Sequence, residues 1–287
     1  MQDLREWLKR VEAIGQLKEL KGVDWNLEMG VLTEESTLRK GPALLFDEIP
    51  GLAPGFRVLT SILATPERVA MSLNLPQESH GQSELVRALV GKPEIWERES
   101  ASFPMTVVGD GPVMKNIVTG KDVDLYRIPC PLWHEKDGGR YIGTGCVVVL
   151  RDPETGRTNL GCYRVMLRDK ESVTLYISVG KHGHSIMRKY HERGRSCPVA
   201  ISLGHSPVFL IAATLGVPER ISEYDYAGAI MKEGVKGVKG VSTDLILPAY
   251  SELVMEGECL PGETSLEGPF GEWTGYYAGE KKAAPGY

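Results

Sequence analysis

Apolar residues at Leu4, Trp7, Leu8, Val11, Ile14 and Leu17 recur near helical spacing, with Arg, Lys and Glu between them. This spacing predicts an amphipathic helix from Asp3 to Leu20, with Asp3 as its N-cap and Gly22 helping to end it. Ala43–Asp47 and Arg57–Leu63 read as strands split by the Pro50-Gly51 and Pro54-Gly55 turns. Thr65 caps a helix whose first residue is Pro66, and Glu84–Gly91 reads as another. From Pro112 the texture changes to short apolar runs separated by Gly, Pro and Asp. Strands are expected at 116–118, 141–150, 159–167, 172–179, 199–203 and 208–215, with one clear helix at 186–193 and Gly194 ending it. The expected class is α+β: a small α/β domain over 1–105, then a compact β barrel or sandwich over 106–287.

Composition narrows the function classes. A net charge of -5 over 287 residues is a poor footprint for nucleic acid, which wants a basic face. The 5 cysteines are odd in number and form no C-x-x-C pair, against a disulfide framework or zinc ribbon. The start MQDLREWLKR lacks the apolar run of a secretory signal, and the run from Pro207 to Pro218 is too short to span a bilayer, so a cytoplasmic protein is expected. The segment 232–240, KEGVKGVKG, invites a phosphate-loop reading but fits neither glycine-rich fingerprint, and a solvated loop is expected.

Candidate chemistry gathers in four places. Thr158 to His184 reads as two strands joined by a charged turn, with Asn159, Arg164 and Gly180-Lys181-His182 at its ends. Residues five apart on a regular strand face opposite ways. Asn159 and Arg164 therefore converge only if Asn159 sits at the strand mouth or Gly161 marks a bulge; otherwise this is an ordinary hairpin with an exposed Arg. His182 and His184 form an H-x-H pair that, on an extended chain, places two imidazoles on one side. Glu223, with an amide oxygen and one imidazole, makes an oxygen-rich set suited to Mn²⁺ or Mg²⁺ rather than Zn²⁺, or else simply caps a helix. Finally, Glu267 and Glu272 bracket Gly-Pro-Phe-Gly, a loop ringed by Phe270, Trp273, Tyr276 and Tyr277. An acid among aromatics can be kept a proton donor by desolvation while its neighbour pairs with Arg164; otherwise the two acids on this Gly/Pro turn are simply exposed.

Taken together, Asn159-x4-Arg164, Gly-Lys-His182, Ser-Glu223-Tyr-Asp-Tyr and Glu267-Gly-Pro-Phe-Gly-Glu272 resemble the UbiD-type decarboxylases, as does the flanking run Trp133 to Gly145. That resemblance implies a split β-barrel over 106–287 that binds prenylated FMN. It implies that Asn159, His182 and Glu223 hold a divalent metal, typically manganese, which in turn holds the cofactor phosphate. A potassium ion would sit on the backbone carbonyls of Ala212, Ala213 and Leu215. Cys162, Tyr163, Arg164, Lys181 and His182 would contact the flavin, and Arg164, Glu267 and Glu272 would be the catalytic network. His184 and His191 have no counterpart role and are expected to be structural. The implied reaction is reversible non-oxidative decarboxylation of an aromatic or α,β-unsaturated acid, with a flavin prenyltransferase supplying the cofactor and a homo-oligomer as the working form. The family carries a further C-terminal domain, which this sequence does not contain, so weaker cofactor binding and an exposed apolar face are expected. Two other readings are a partner-dependent or non-catalytic flavin-binding subunit, and a metal-dependent hydrolase built on His182, His184 and Glu223.

Overall fold

The computed structural model describes residues 1–287 other than His80, Trp273, Ala278, Lys281 and Tyr287. The chain opens with α1 (Leu4–Ala13), β1 (Leu17–Lys21), α2 (Glu28–Leu38), β2 (Ala43–Asp47), β3 (Val58–Thr60), α3 (Pro66–Ser72), α4 (Gln82–Leu89) and α5 (Lys92–Glu99). Asp3 caps α1 as expected, its carboxylate accepting from Arg5 N at 2.8 Å. The helix is shorter than the spacing predicts. It stops at Ala13, and Gly15, at φ +68°, turns the chain into β1, which pairs in parallel with β2. Leu17-Lys-Glu-Leu-Lys alternates only loosely, so it continues a helical stripe as easily as it starts a strand. Helices α2 and α5 were not expected.

The rest comprises β4 (Thr106–Val107), β5 (Tyr141–Gly143), β6 (Val147–Arg151), β7 (Thr158–Gly161), β8 (Arg164–Leu167), β9 (Val173–Tyr176), α6 (His182–His191), β10 (Cys197–Leu203), α7 (Pro207–Thr214), α8 (Glu223–Met231), β11 (Lys236–Lys239), β12 (Ile246–Pro248), β13 (Leu253–Cys259), β14 (Thr264–Glu267) and β15 (Lys282–Pro285). The α+β class holds, with several separate sheets. Two of the expected strands break in the middle. Residues 141–150 divide into β5 and β6, and 159–167 into β7 and β8; β5 and β8 join β9 in one sheet, while β6 and β7 join β10 and β13 in another. Ile142, Val148, Leu150, Val165, Leu175, Val199 and Ile201 fill the space between, covered by Ile186, Met187 and Tyr190 of α6.

Three further expectations fail. The expected strand at 208–215 is instead helix α7, Pro207–Thr214, with Ser206 at the cap position and Pro207 at its first turn. An eight-residue run that is apolar all round cannot be assigned by periodicity, and the Ser-Pro start was the discriminating signal. Asn116–Val118 is not a strand. The segment 232–240 is not a loop throughout: Lys236–Lys239 is β11, set between β12 and β4. Just beyond it, the N–H groups of Val241, Ser242 and Thr243 do cradle an anion, but it is the chain's own Glu256 carboxylate, at 2.8, 3.3 and 2.9 Å.

The two parts of the chain share packing. Leu73 and Trp96 lie in the same core as Val208, Phe209, Tyr224 and Tyr226, with Trp96 edge-on to Tyr226 at 6.1 Å. Gln2 donates to Gly234 O and accepts from Lys236 N, at 3.1 and 2.8 Å. A strap, residues 131–141, crosses between the parts. Leu132 exchanges backbone hydrogen bonds with Trp25 and Leu27, Arg140 lies over the Trp25 ring at 4.1 Å, and Trp133 packs against the Met29 and Phe46 cluster. Among the described residues no helix is long and apolar enough to cross a membrane.

Candidate active site

The break between β7 and β8 positions the site. Asn159 lies on β7 and Arg164 opens β8, so the two never share one regular strand, and the face problem disappears without a bulge at Gly161. Tyr163, at the break, is wedged between Gly161 and Gly183: a Cβ on either glycine would come within 2.3 and 2.7 Å of its ring and hydroxyl. Its hydroxyl accepts from Gly183 N at 3.2 Å, tying the break to the start of α6. Cys162, beside it, is half-buried.

On the Asn159 side, Glu223 begins α8 and reaches back to β7. Its carboxylate accepts from Asn159 Nδ2 and Leu160 N, both at 2.8 Å, with Glu223 3% and Asn159 2% exposed. Burial pushes the Glu223 carboxyl up to about 7, against the opposing pull of the Leu160 amide, Arg157 and Asn159. Among the described residues, the buried acceptor Asn159 Oδ1 finds no hydrogen-bond partner. A lone buried oxygen beside a carboxylate suits a hard divalent cation, so these two residues fit the expected metal. His182 opens α6, partly exposed, and the residues in its first turn do not close a cluster: among the described residues no three His, Cys, Asp or Glu side chains gather. The H-x-H reading is overturned, because His182 and His184 stand two apart on a helix and face different ways. His191, at the other end of α6, bonds Cys259 O at 3.0 Å. Ala212 and Ala213 lie in the last turn of α7 and Leu215 is its C-cap, where a helix leaves carbonyls without helical partners. Lys181 is exposed at the α6 cap position.

On the Arg164 side the expected network is assembled. Arg164 Nε and Nη2 donate to the two oxygens of Glu267, each at 2.8 Å, and Nη1 donates to Glu272 at 3.1 Å. This is a bidentate fork on one carboxylate with a third bond to another. Glu267 is wholly buried, Arg164 is 16% exposed and Glu272 31%. The partner carboxylates overcome the desolvation penalty and raise the Arg164 guanidinium further. Arg164 also lies over the rings of Tyr176, at 4.6 Å, and Phe270, at 5.7 Å. The aromatic ring around the acids is only partial: Phe270 packs on Tyr141, Tyr276 and Tyr277 are exposed, and Trp273 lies outside the described residues.

Four positioning groups escaped the sequence reading. Tyr141 donates to Glu267 at 2.7 Å. Asp137, fully buried, accepts from His134 N and from Gly271 N, the latter at 2.8 Å, pinning the residue before Glu272. Gly138 donates to Pro269 O at 2.7 Å and lies so close that a Cβ would stand 1.9 Å from Gly268 O. Arg157 donates to Ile221 O at 3.3 Å, ahead of Glu223, and its buried Nη2 has no hydrogen-bond partner among the described residues. The first three lie in the run Trp133 to Gly145, which the motif comparison flagged without assigning roles.

Comparison with known proteins bears on the whole chain. Residues 105–286 match the 3-octaprenyl-4-hydroxybenzoate carboxy-lyase Rift-related domain, and residues 8–88 match the N-terminal domain of the same family. A pyrrole-2-carboxylic acid decarboxylase of Pseudomonas aeruginosa is 35% identical over 285 residues, covering 96% of this chain and 56% of the relative. The UbiD-class enzyme HmfF from Pelotomaculum thermopropionicum, solved in complex with prFMN, superposes with a TM-score of 0.85 at 28% identity, covering 99% of this chain and 63% of that one. The vanillic acid decarboxylase of Sedimentibacter hydroxybenzoicus in its closed form gives 0.88 at 28%, covering 99% and 60%. The chain thus spans somewhat over half the length of these relatives. By the extent of both family matches, together with the site geometry, the chain belongs to the UbiD family of carboxy-lyases.

Proposed function

We propose that the complete protein carries out reversible, non-oxidative decarboxylation of an aromatic or α,β-unsaturated carboxylic acid with prenylated FMN. The observation that carries this reading is Arg164 clamped on buried Glu267 while its free edge meets the more exposed Glu272. The aromatic class is supported by relatives named for pyrrole-2-carboxylic and vanillic acids.

Prenylated FMN, when bound, supplies the electrophilic centre that takes up electrons as the C–CO₂ bond breaks. Arg164 orients the substrate carboxylate or the flavin edge, and Glu267 holds Arg164 in place. Glu272, one-third exposed, exchanges protons with solvent and delivers one to the carbon left after CO₂ departs. Asn159, Glu223 and His182 would hold Mn²⁺ or Mg²⁺ with the cofactor phosphate, a binding role rather than substrate activation. Carbonyls of Ala212, Ala213 and Leu215 would hold K⁺, and Cys162, Tyr163 and Lys181 would border the flavin. Division into domains at 1–105 and 106–287, a flavin prenyltransferase as cofactor supplier, a homo-oligomeric working form and a cytoplasmic location complete this reading.

The test is to produce the complete protein with a flavin prenyltransferase and Mn²⁺, record its absorbance spectrum and assay CO₂ release from aromatic acids. Bound flavin lost in Glu223→Ala, and turnover lost in Arg164→Ala and Glu272→Gln with flavin retained, is the expected pattern. Turnover persisting in Arg164→Ala overturns it.

A further inference from the structure

We infer that Tyr141 is a positioning residue of the active site, its hydroxyl fixing the rotation of the Glu267 carboxylate and through it the edge that Arg164 presents to Glu272. The inference rests on the reading of Arg164, Glu267 and Glu272 as the catalytic network. Tyr141 and Glu267 are both fully buried and meet at 2.7 Å, a well-formed hydrogen bond from a phenol to a carboxylate. Because Glu267 carries the Arg164 fork, it is the acceptor and the phenol is the donor. Oε1 then takes two donors, Tyr141 Oη and Arg164 Nε, while Oε2 takes Arg164 Nη2. A carboxylate held by the fork alone is free to rock about its long side chain. The phenol removes that freedom, and the guanidinium plane follows the carboxylate plane.

Tyr141 is itself rigid. Its backbone N–H bonds Pro131 O at 2.9 Å, its carbonyl accepts from Trp133 Nε1 at 3.1 Å, and its ring packs on Phe270 at 4.4 Å. Burial, with Glu267 beside it, raises the Tyr141 phenol well above its ordinary value, so it stays a donor at every working pH. The strap that carries Tyr141 is bonded at its other end to Trp25 and Leu27. The first part of the chain therefore sets the position of a group in the second.

The test compares Tyr141→Phe with Arg164→Ala in the complete, flavin-loaded enzyme. For Tyr141→Phe, kcat is expected to fall about tenfold with KM changed less than about twofold, the size of one lost charge-assisted hydrogen bond. A crystal structure of the flavin-free variant should show the Arg164–Glu272 contact opened with the fold intact, a readout independent of turnover. If Tyr141→Phe proves too unstable to assay, fluorotyrosine placed at position 141 keeps the shape and the donor, and is expected to hold kcat and the Arg164–Glu272 contact; loss of the contact there overturns the inference. Wild-type kinetics and contact in Tyr141→Phe, beside an inert Arg164→Ala, overturn this inference alone. Full turnover in Arg164→Ala overturns the network and this inference with it.

Discussion

Arg164 and its two carboxylates are not equivalent partners, and the difference is measurable. Glu267 is buried and takes two bonds from Arg164, so removing the arginine strands a charge in the interior; Arg164→Ala should cost about 3 kcal/mol or more. Glu272 is partly solvated and takes one bond, so Glu272→Gln should cost on the order of 1 kcal/mol or less. Urea unfolding of the two variants checks the ranking. Glu223 gives a second prediction at this scale. Its carboxyl is raised from 4.5 to about 7, so the metal-free fold prefers the protonated acid. The unfolded chain releases that proton near pH 4.5, so the contribution favouring the fold is full below that pH and is lost as pH rises through about 7. Metal-free protein should therefore melt progressively lower across that window, and Glu223→Gln should flatten the dependence, as read by calorimetry at stepped pH. The acids and the arginine were legible in the sequence because they stand in dense local motifs, the two glutamates flanking Gly-Pro-Phe-Gly and Arg164 five residues after Asn159. Tyr141 and Asp137 were not legible, because an ordinary tyrosine and an ordinary aspartate acquire their roles only from partners about 130 residues away (|i−j| of 126 and 134).

At the scale of elements, the strap and the 267–277 loop form one unit. Besides the Asp137 and Gly138 bonds, Lys136 N donates to the Tyr277 hydroxyl at 3.2 Å, and Gly271 bridges Tyr277. On the strap's other side, a Cβ at Gly30 would stand 1.8 Å from the Trp133 carbonyl oxygen, backbone that cannot swing away. Gly30→Ala, far from any acid of the site, should thus displace the strap, costing about 1–3 kcal/mol in stability and lowering kcat with it. Thermal melts together with steady-state kinetics check both. The elements themselves were unevenly legible. Capped helices such as α1 and α3 and the apolar strand β2 announced themselves, since local chemistry decides them. Helix α7 misread as a strand because its short run is apolar all round, and α2 went unseen because it lacks a continuous apolar stripe.

Across the whole molecule, the core shared by Trp96 and Tyr226, the Gln2 bonds and the strap join the two parts closely. Calorimetry should accordingly show one cooperative transition for this chain; two resolved transitions would mean that the parts unfold separately. Gln2→Ala removes two buried-side bonds and should lower that transition without splitting it, by about 1–3 kcal/mol.

The break at Cys162–Tyr163 has a consequence for how the site can vary. From Asn159 to Arg164 the chain advances at most about 17 Å, and the two residues belong to different clusters on either side of that break. The spacing between the end that fits a cation and the end where Arg164 meets Glu267 and Glu272 is thus written in covalent bonds, a molecular ruler five residues long. Side chains at either end can be exchanged and the pocket reshaped around them, but inserting or deleting one residue within the ruler would move one end out of step with the other. Variation in this site would leave that interval at its present length and act on the residues around it instead.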